Sequence, residues 1–156
     1  MIQRALGIAR LQIPVFEEVE HNRSLTQEAA IIVLIASIVG SIGGPPRGMG
    51  AFISTVLVNV VGWVVWSVIV AFIAQKLFNG TTDRGEMLRV TGYAYGPRIL
   101  GLIPFLSFVG MLWSVVAVIV GIRQAGDFST GKAIVTAVLG FFPYVIAMAI
   151  VVAVFT

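Results

Sequence analysis

From Ala51 to Ala74 the chain carries no ionisable side chain, a stretch longer than the roughly 20 apolar residues that a helix needs to cross a bilayer. In hydrocarbon the backbone has only itself to hydrogen-bond, so such a stretch is a membrane helix. Further apolar runs extend from Ala29 to Ile42, Ile99 to Ile122 and Ala133 to Phe155. Hydrophobic residues make up 58% of the 156 and charged residues 11%, against roughly a quarter charged in soluble domains. Water is thus the wrong solvent for most of the chain, and the length allows one compact domain. The absence of Cys excludes disulfides, thiolate metal sites and cysteine nucleophiles. A net charge of only +3 assigns the basic residues to topology and headgroup contact rather than to nucleic acid.

Ile2, Ala5, Leu6 and Ala9 recur at helical spacing with Gln3, Arg4 and Arg10 opposite, which predicts a short amphipathic helix at the membrane surface, ended by Pro14. Met1 to Arg10 is too short and polar for the apolar core of a signal peptide. Val15 to Asn22, with Glu17, Glu18 and Glu20, reads as a solvated connector, and residues 1–24 form a cytoplasmic segment ahead of a membrane domain over 25–156. Ser24 and Gln27 have capping-box spacing before the first span, 26–42. A turn from Gly43 to Gly48 contains Pro45 and Pro46, and the second span, 51–78, closes at Asn79 and Gly80. Asp83 and Glu86 repeat the capping-box spacing. They open a second amphipathic piece with Met87, Leu88, Thr91 and Tyr93 toward lipid and Arg84 and Arg89 toward headgroups.

The stretch from Ile99 to Ile122 is long enough for one span but is interrupted by Pro104, Ser107 and Gly110. Charge placement decides the reading, because Lys and Arg accumulate on the cytoplasmic side. Five crossings from a cytoplasmic N-terminus put Arg4, Arg10, Arg23, Lys76, Arg84, Arg89, Arg98, Arg123 and Lys132 inside and only Arg47 outside. Four crossings would move Arg123 and Lys132 outside as well. The expected fold is therefore all-α: five membrane helices, about 26–42, 51–78, 97–108, 109–123 and 133–155, with one or two interfacial helices. The third is too short to span unless it starts earlier or sinks partway.

The order of these features resembles the Yip domain family, in a prokaryotic form. The carrying segments are Val15-Phe16-Glu17-Glu18-Val19-Glu20, Ser24-Leu25-Thr26-Gln27-Glu28-Ala29, Gly85 to Ala94 with Pro97, and Gly121 to Ala133 before the last span. The resemblance implies five membrane helices and a cytoplasmic N-terminus. Eukaryotic relatives bind prenylated Rab-type GTPases, but their long N-terminal region and Asp-Leu-Tyr-Gly-Pro segment have no counterpart here, so the resemblance implies a fold more firmly than a role.

Candidate chemistry is sparse. His21 reads as a solvent-exposed loop residue and the three glutamates of the connector as a solvated face, so no metal is expected. The Gly43 to Gly50 stretch lacks the Gly-Lys-Ser/Thr ending of a phosphate loop. No cofactor and no catalytic residue is assigned. Asp127 is expected to bridge Arg123 or Arg98, and Asn59 is the strongest intramembrane hydrogen-bonding residue near mid-helix. No ionisable residue is expected at the bilayer midplane. Trp63, Trp66, Phe108 and Trp113 are read as lipid-facing.

The expected function is non-enzymatic: organisation of the membrane or binding of lipid or protein partners through cytoplasmic loops. Gly92, Tyr93, Tyr95, Pro97, Arg98, Arg123 and Asp127 would shape one cytoplasmic surface. The partners are the lipid bilayer and a membrane protein or a second copy of the chain, with no nucleic acid. The setting is a bacterial cytoplasmic membrane. An accessory subunit of a larger complex and a small transporter or channel are the alternatives.

Overall fold

The computed structural model describes residues 1–42 and 48–155. Of the turn expected over Gly43 to Gly48, residues 43–47, Arg47 among them, lie outside the described residues. Seven α-helices follow one another with no strand among the described residues: α1 (Ile2–Ala9), α2 (Ile13–His21), α3 (Thr26–Ile42), α4 (Met49–Phe78), α5 (Arg84–Ala94), α6 (Pro104–Gly126) and α7 (Thr130–Phe155). Two 3-10 segments, Arg23–Leu25 and Gly96–Leu102, precede α3 and α6. Four stretches are long and apolar enough to cross a membrane: Arg23–Ile42, Met49–Phe78, Phe105–Gly126 and Thr130–Ala153. Leu57, Phe72, Phe108, Leu112, Phe142 and Ile146 lie exposed along them. Such contiguous apolar surface belongs in lipid.

The third and fourth helices expected over 97–108 and 109–123 are replaced by a 3-10 segment and one uninterrupted helix. Pro104 does not interrupt α6; it occupies the first turn, where its missing N–H costs no hydrogen bond. Gly110 does not break the helix either. A Cβ there would stand 2.5 Å from the Pro97 carbonyl oxygen and 3.1 Å from Leu100 Cβ, so the glycine lets α6 press its backbone against the 3-10 segment.

The second amphipathic piece does not lie on the surface. Met87, Arg89, Val90, Thr91, Gly92, Tyr93 and Ala94 are all buried, and α5 packs against α3, α4 and α6. With the following 3-10 segment it runs alongside α3, because a Cβ on Gly92 would meet Ala29 at 2.9 Å and one on Gly101 would lie 3.7 Å from the Gly40 backbone. Eleven α-helical and seven 3-10 residues rise together by roughly 30 Å, the thickness of the hydrocarbon core. The chain thus contains a two-part element of spanning length that hydropathy does not reveal.

The N-terminal segment also departs from expectation. Pro14 does not end α1 but sits in the first turn of α2, and the corner between the two helices is Leu11, at φ 57°. The supposed connector is α2 itself, with Phe16, Val19 and Glu20 buried against the bundle. Ahead of α3, Asn22 caps the 3-10 segment Arg23–Leu25, accepting from the Ser24 amide at 3.1 Å and from its hydroxyl at 2.6 Å. The Asp83–Glu86 capping box forms as expected, at 2.8 and 2.7 Å, and Asn79 closes α4 in the left-handed conformation.

Because the α6 backbone abuts Pro97 at Gly110, Gly110→Val is expected to lower the thermal midpoint of the detergent-solubilised protein, with a loss of about 2–3 kcal/mol. The same change at Gly40, where a Cβ meets nothing within 4 Å, should leave the midpoint unchanged within about 0.5 kcal/mol.

Candidate functional site

Polar side chains converge at two places. The first is where α1 and α2 fold over the start of α3 and the length of α5. Arg4 of α1 donates to Glu18 of α2 at 2.6 Å and to Glu28 of α3 at 3.2 Å, and Glu28 also accepts from the Tyr93 hydroxyl of α5. Four helices are tied through two carboxylates, one guanidinium and one phenol. Arg89, 3% exposed, reaches from α5 to the C-terminal carbonyls of α2, donating from Nε to Val19 at 2.9 Å and to Glu20 at 3.0 Å, with a further bond from Nη2 to Glu20. Cations suit helix C-termini because unpaired carbonyls concentrate negative potential there. Arg89 therefore pins α2 onto the bundle instead of facing headgroups.

Glu20 is 5% exposed. Burial pushes its carboxyl up to about 7, Glu86 and Asp127 add to the effect, and His21 opposes it. His21 is exposed at the end of α2; the Glu17 carbonyl 2.9 Å from Nδ1 raises its pKa, and Glu20 contributes. Glu17 and Glu18 remain on the outside of α2. Among the described residues no group of three His, Cys, Asp or Glu side chains could hold a metal.

The second place lies deep between the helices. Arg98 lines a polar cavity of about 200 Å³ with Ser37 and Ser41 of α3, Thr55 and Asn59 of α4, and Tyr95. It also lines a larger apolar cavity of about 430 Å³ bounded by Trp66 of α4, Ser114 to Ile119 of α6 and Ile134 to Tyr144 of α7. Asn59 and Trp66 straddle the middle of α4, and Ser114 lies at the middle of α6. Arg98 is therefore a cation set between long apolar helices of spanning length, whereas the sequence reading sets it on a cytoplasmic surface. Insertion scales put the cost of such a group at roughly 2.5–3.5 kcal/mol. Its guanidinium stacks on the Tyr95 ring at 4.2 Å, an interaction worth about 2 kcal/mol when desolvated.

The residues expected to share one surface are divided. Gly92 and Tyr93 are core residues against Ala29, Trp63 and Glu28, Pro97 is buried against Gly110, and Tyr95 and Arg98 face the two cavities. Only Arg123 and Asp127 are exposed at the end where α1 and α2 lie. The hydrogen bond found at the Asp127 carboxylate comes from Thr81, at 2.6 Å, across from the end of α4; no Asp127 ion pair to Arg123 or Arg98 is present among the described residues. Trp63 is not lipid-facing: it is 4% exposed and donates from Nε1 to Thr91 at 3.1 Å. Trp66 is half-buried against Tyr144. Phe108 and Trp113 are exposed as expected.

The structure sets Asn59 beside Arg98 in the polar cavity, a juxtaposition that sequence reasoning missed. Sequence reasoning also missed the network of Arg4, Glu18, Glu28 and Tyr93 and the buried anchor Arg89. The available signal was the odd number of polar side chains in Arg84 to Ala94, too many for a lipid-facing helix.

Since the Glu20 pKa is higher in the folded protein than the ordinary 4.5, the folded state holds the proton more tightly and stability falls as pH rises from 4.5 to 7, then levels off. Glu20→Gln should therefore stabilise the protein at pH 8 by up to about 3 kcal/mol and hardly at all at pH 4.5. Thermal midpoints of both proteins across that range check it, and a pH-independent difference would refute the assignment.

A comparison with known families finds that the model described as the Yip1 domain matches residues 11–155. No curated protein and no solved structure matches the chain.

Proposed function

We propose, from the premise that this chain belongs to the Yip1 domain family, that it is a non-catalytic membrane protein whose working surface is the end of the bundle capped by α1 and α2. The observation that carries this reading is the posture of α1. Arg4 straps it to Glu18 and Glu28, while Ile2 and Leu6 stay 71% and 51% exposed. Between α1, α3, the 3-10 segment and α6 lies an apolar cavity of about 670 Å³ that reaches Ile35, Leu100 and Trp113. A helix fixed in orientation with bare apolar side chains beside basic ones suits the headgroup boundary, and the groove beneath it offers an apolar seat to a membrane partner.

In this reading the capped end is cytoplasmic. Arg10, Arg23, Arg84, Arg123 and Lys132 all sit in segments at that end, in keeping with the bias of basic residues toward the cytoplasm. The α5 and 3-10 unit supplies the third of five crossings, so residues 1–24 and the loops around Asp83 and Asp127 share one side. Arg123 and Asp127 then belong to the partner-binding face, whereas Tyr95 and Arg98 do not. The protein acts as an organiser or as a subunit of a larger assembly in a bacterial cytoplasmic membrane.

The test is mild-detergent purification of the tagged chain from its native membrane, with mass spectrometry of what elutes in a sharp complex. Wild type is expected to carry a stoichiometric partner or a second copy, and Leu6→Glu to lose it at unchanged yield. A monomer alone, or a partner indifferent to Leu6→Glu, would sink the reading.

The polar cavity at Arg98 favours a second reading, a small transporter or channel. Anion flux into liposomes that vanishes with Asn59→Leu would support it; absence of flux would remove it.

A further inference from the structure

The two cavities that meet at Arg98 lie away from the capped end and serve no part of the proposed docking. We propose that together they form an intramembrane binding site for an anionic lipid, its acidic head on Arg98 and one acyl chain in the larger cavity. Three observations converge. Among the described residues, the buried side-chain polar atoms without a hydrogen-bond partner are Ser37 Oγ, Arg98 Nε and Ser114 Oγ, and each belongs to a residue lining one or both of these cavities. Buried polar groups in native structures almost always have partners, so three orphans at one place point to a ligand that supplies acceptors.

The second observation is charge. The seven carboxylates of the chain are Glu17, Glu18, Glu20, Glu28, Asp83, Glu86 and Asp127, and none lines either cavity. The titratable groups that face Arg98 are the phenols of Tyr95 and Tyr144. A guanidinium without an anion in a low-dielectric setting is matched by a carboxylate or phosphate, which it can hold through two parallel hydrogen bonds. Ser41 and Thr55 already donate to backbone carbonyls, at 2.8 and 2.7 Å. Ser37, Asn59, Tyr95 and Arg98 are thus the remaining donor-bearing side chains that line the polar cavity and would face the head.

The third is shape. The larger cavity, about 430 Å³, falls in the range of small-molecule sites, roughly 300–1,000 Å³. Its walls include Val115, Ile134, Val138 and Phe141, each 45–56% exposed on the outer faces of α6 and α7. The cavity therefore opens sideways between these helices, and a chain can enter from the bilayer without passing through water.

Native mass spectrometry of the full chain in detergent tests this with dioleoyl phosphatidylglycerol, dioleoyl phosphatidylcholine and inorganic phosphate as probes. Phosphatidylglycerol is expected to bind at about one-tenth the concentration of phosphatidylcholine, a difference of one decade in Kd, and inorganic phosphate not to compete. Arg98→Gln should abolish the preference, Val138→Trp should abolish retention by filling the cavity, and Arg123→Gln at the capped end should change neither. Should Arg98→Gln not fold, Arg98→Lys, which keeps the charge, is expected to retain the preference while Val138→Trp still loses the lipid. The proposal is overturned if the preference survives both Arg98→Gln and Val138→Trp, if it disappears with Arg123→Gln instead, or if inorganic phosphate displaces the lipid. Because the capped end is untouched by Arg98 and Val138 changes, failure here leaves the partner-binding reading standing, and failure there leaves this one.

Discussion

Everything in this bundle is arranged around a helix that is too polar for the place it occupies. The α5 sequence Arg84 to Ala94 carries Arg89, Thr91 and Tyr93, yet these side chains lie at the centre of an apolar assembly where an unmet hydrogen bond costs about 1–3 kcal/mol. Each finds its partner on a different element. Thr91 shares a 2.7 Å bond with Ser67 and receives one from Trp63 on α4, Tyr93 bonds Glu28 on α3, and Arg89 bonds the end of α2. These bonds set the rotation of α3 and α4 about α5 and hold the N-terminal helices in place. Apolar packing alone, which tolerates sliding between helices in lipid, would not specify them.

The same constraint explains the broken third element. Gly92 is pressed on Ala29 and the Trp63 ring, and after Ala94 the chain tightens into a seven-residue 3-10 segment, long for that conformation. The tighter coil carries Arg98 into the middle of the bundle. A continuous α-helix would advance less per residue and turn this side chain by a different angle. The two cavities flanking Arg98 are thus a by-product of how the polar helix ends, and the lipid site inferred there depends on that ending.

At the capped end the logic is different. Arg4, Glu18 and Glu28 are partly exposed, and such pairs contribute little stability individually. Their work is orientation: they hold α1 with Ile2 and Leu6 outward above an apolar groove. In the proposed reading, that fixed orientation is what presents a face to a partner or a headgroup layer.

In the sequence α6 reads as two short helices, because Pro104 and Gly110 look like breaks when their packing is unknown. The membrane class and the other three of the four long helices, α3, α4 and α7, were legible, because an apolar run of spanning length admits no other backbone solution in lipid. The Asp83–Glu86 cap was legible for a similar reason: it depends only on residues three apart. What the sequence did not disclose was that α5 is buried and that the acidic connector is the helix α2. Polarity at Arg89 and the glutamates of α2 argue for solvent when neighbours are unknown, and only the tertiary arrangement supplies the carbonyls and hydroxyls that allow Arg89, Thr91 and Glu20 to be buried. For the same reason Arg98 was read as a loop cation. Local pattern determines which segments seek lipid, since that preference is a property of each segment alone; which polar residues can leave water is decided by partners distant in the chain, and those exist only once the helices have packed.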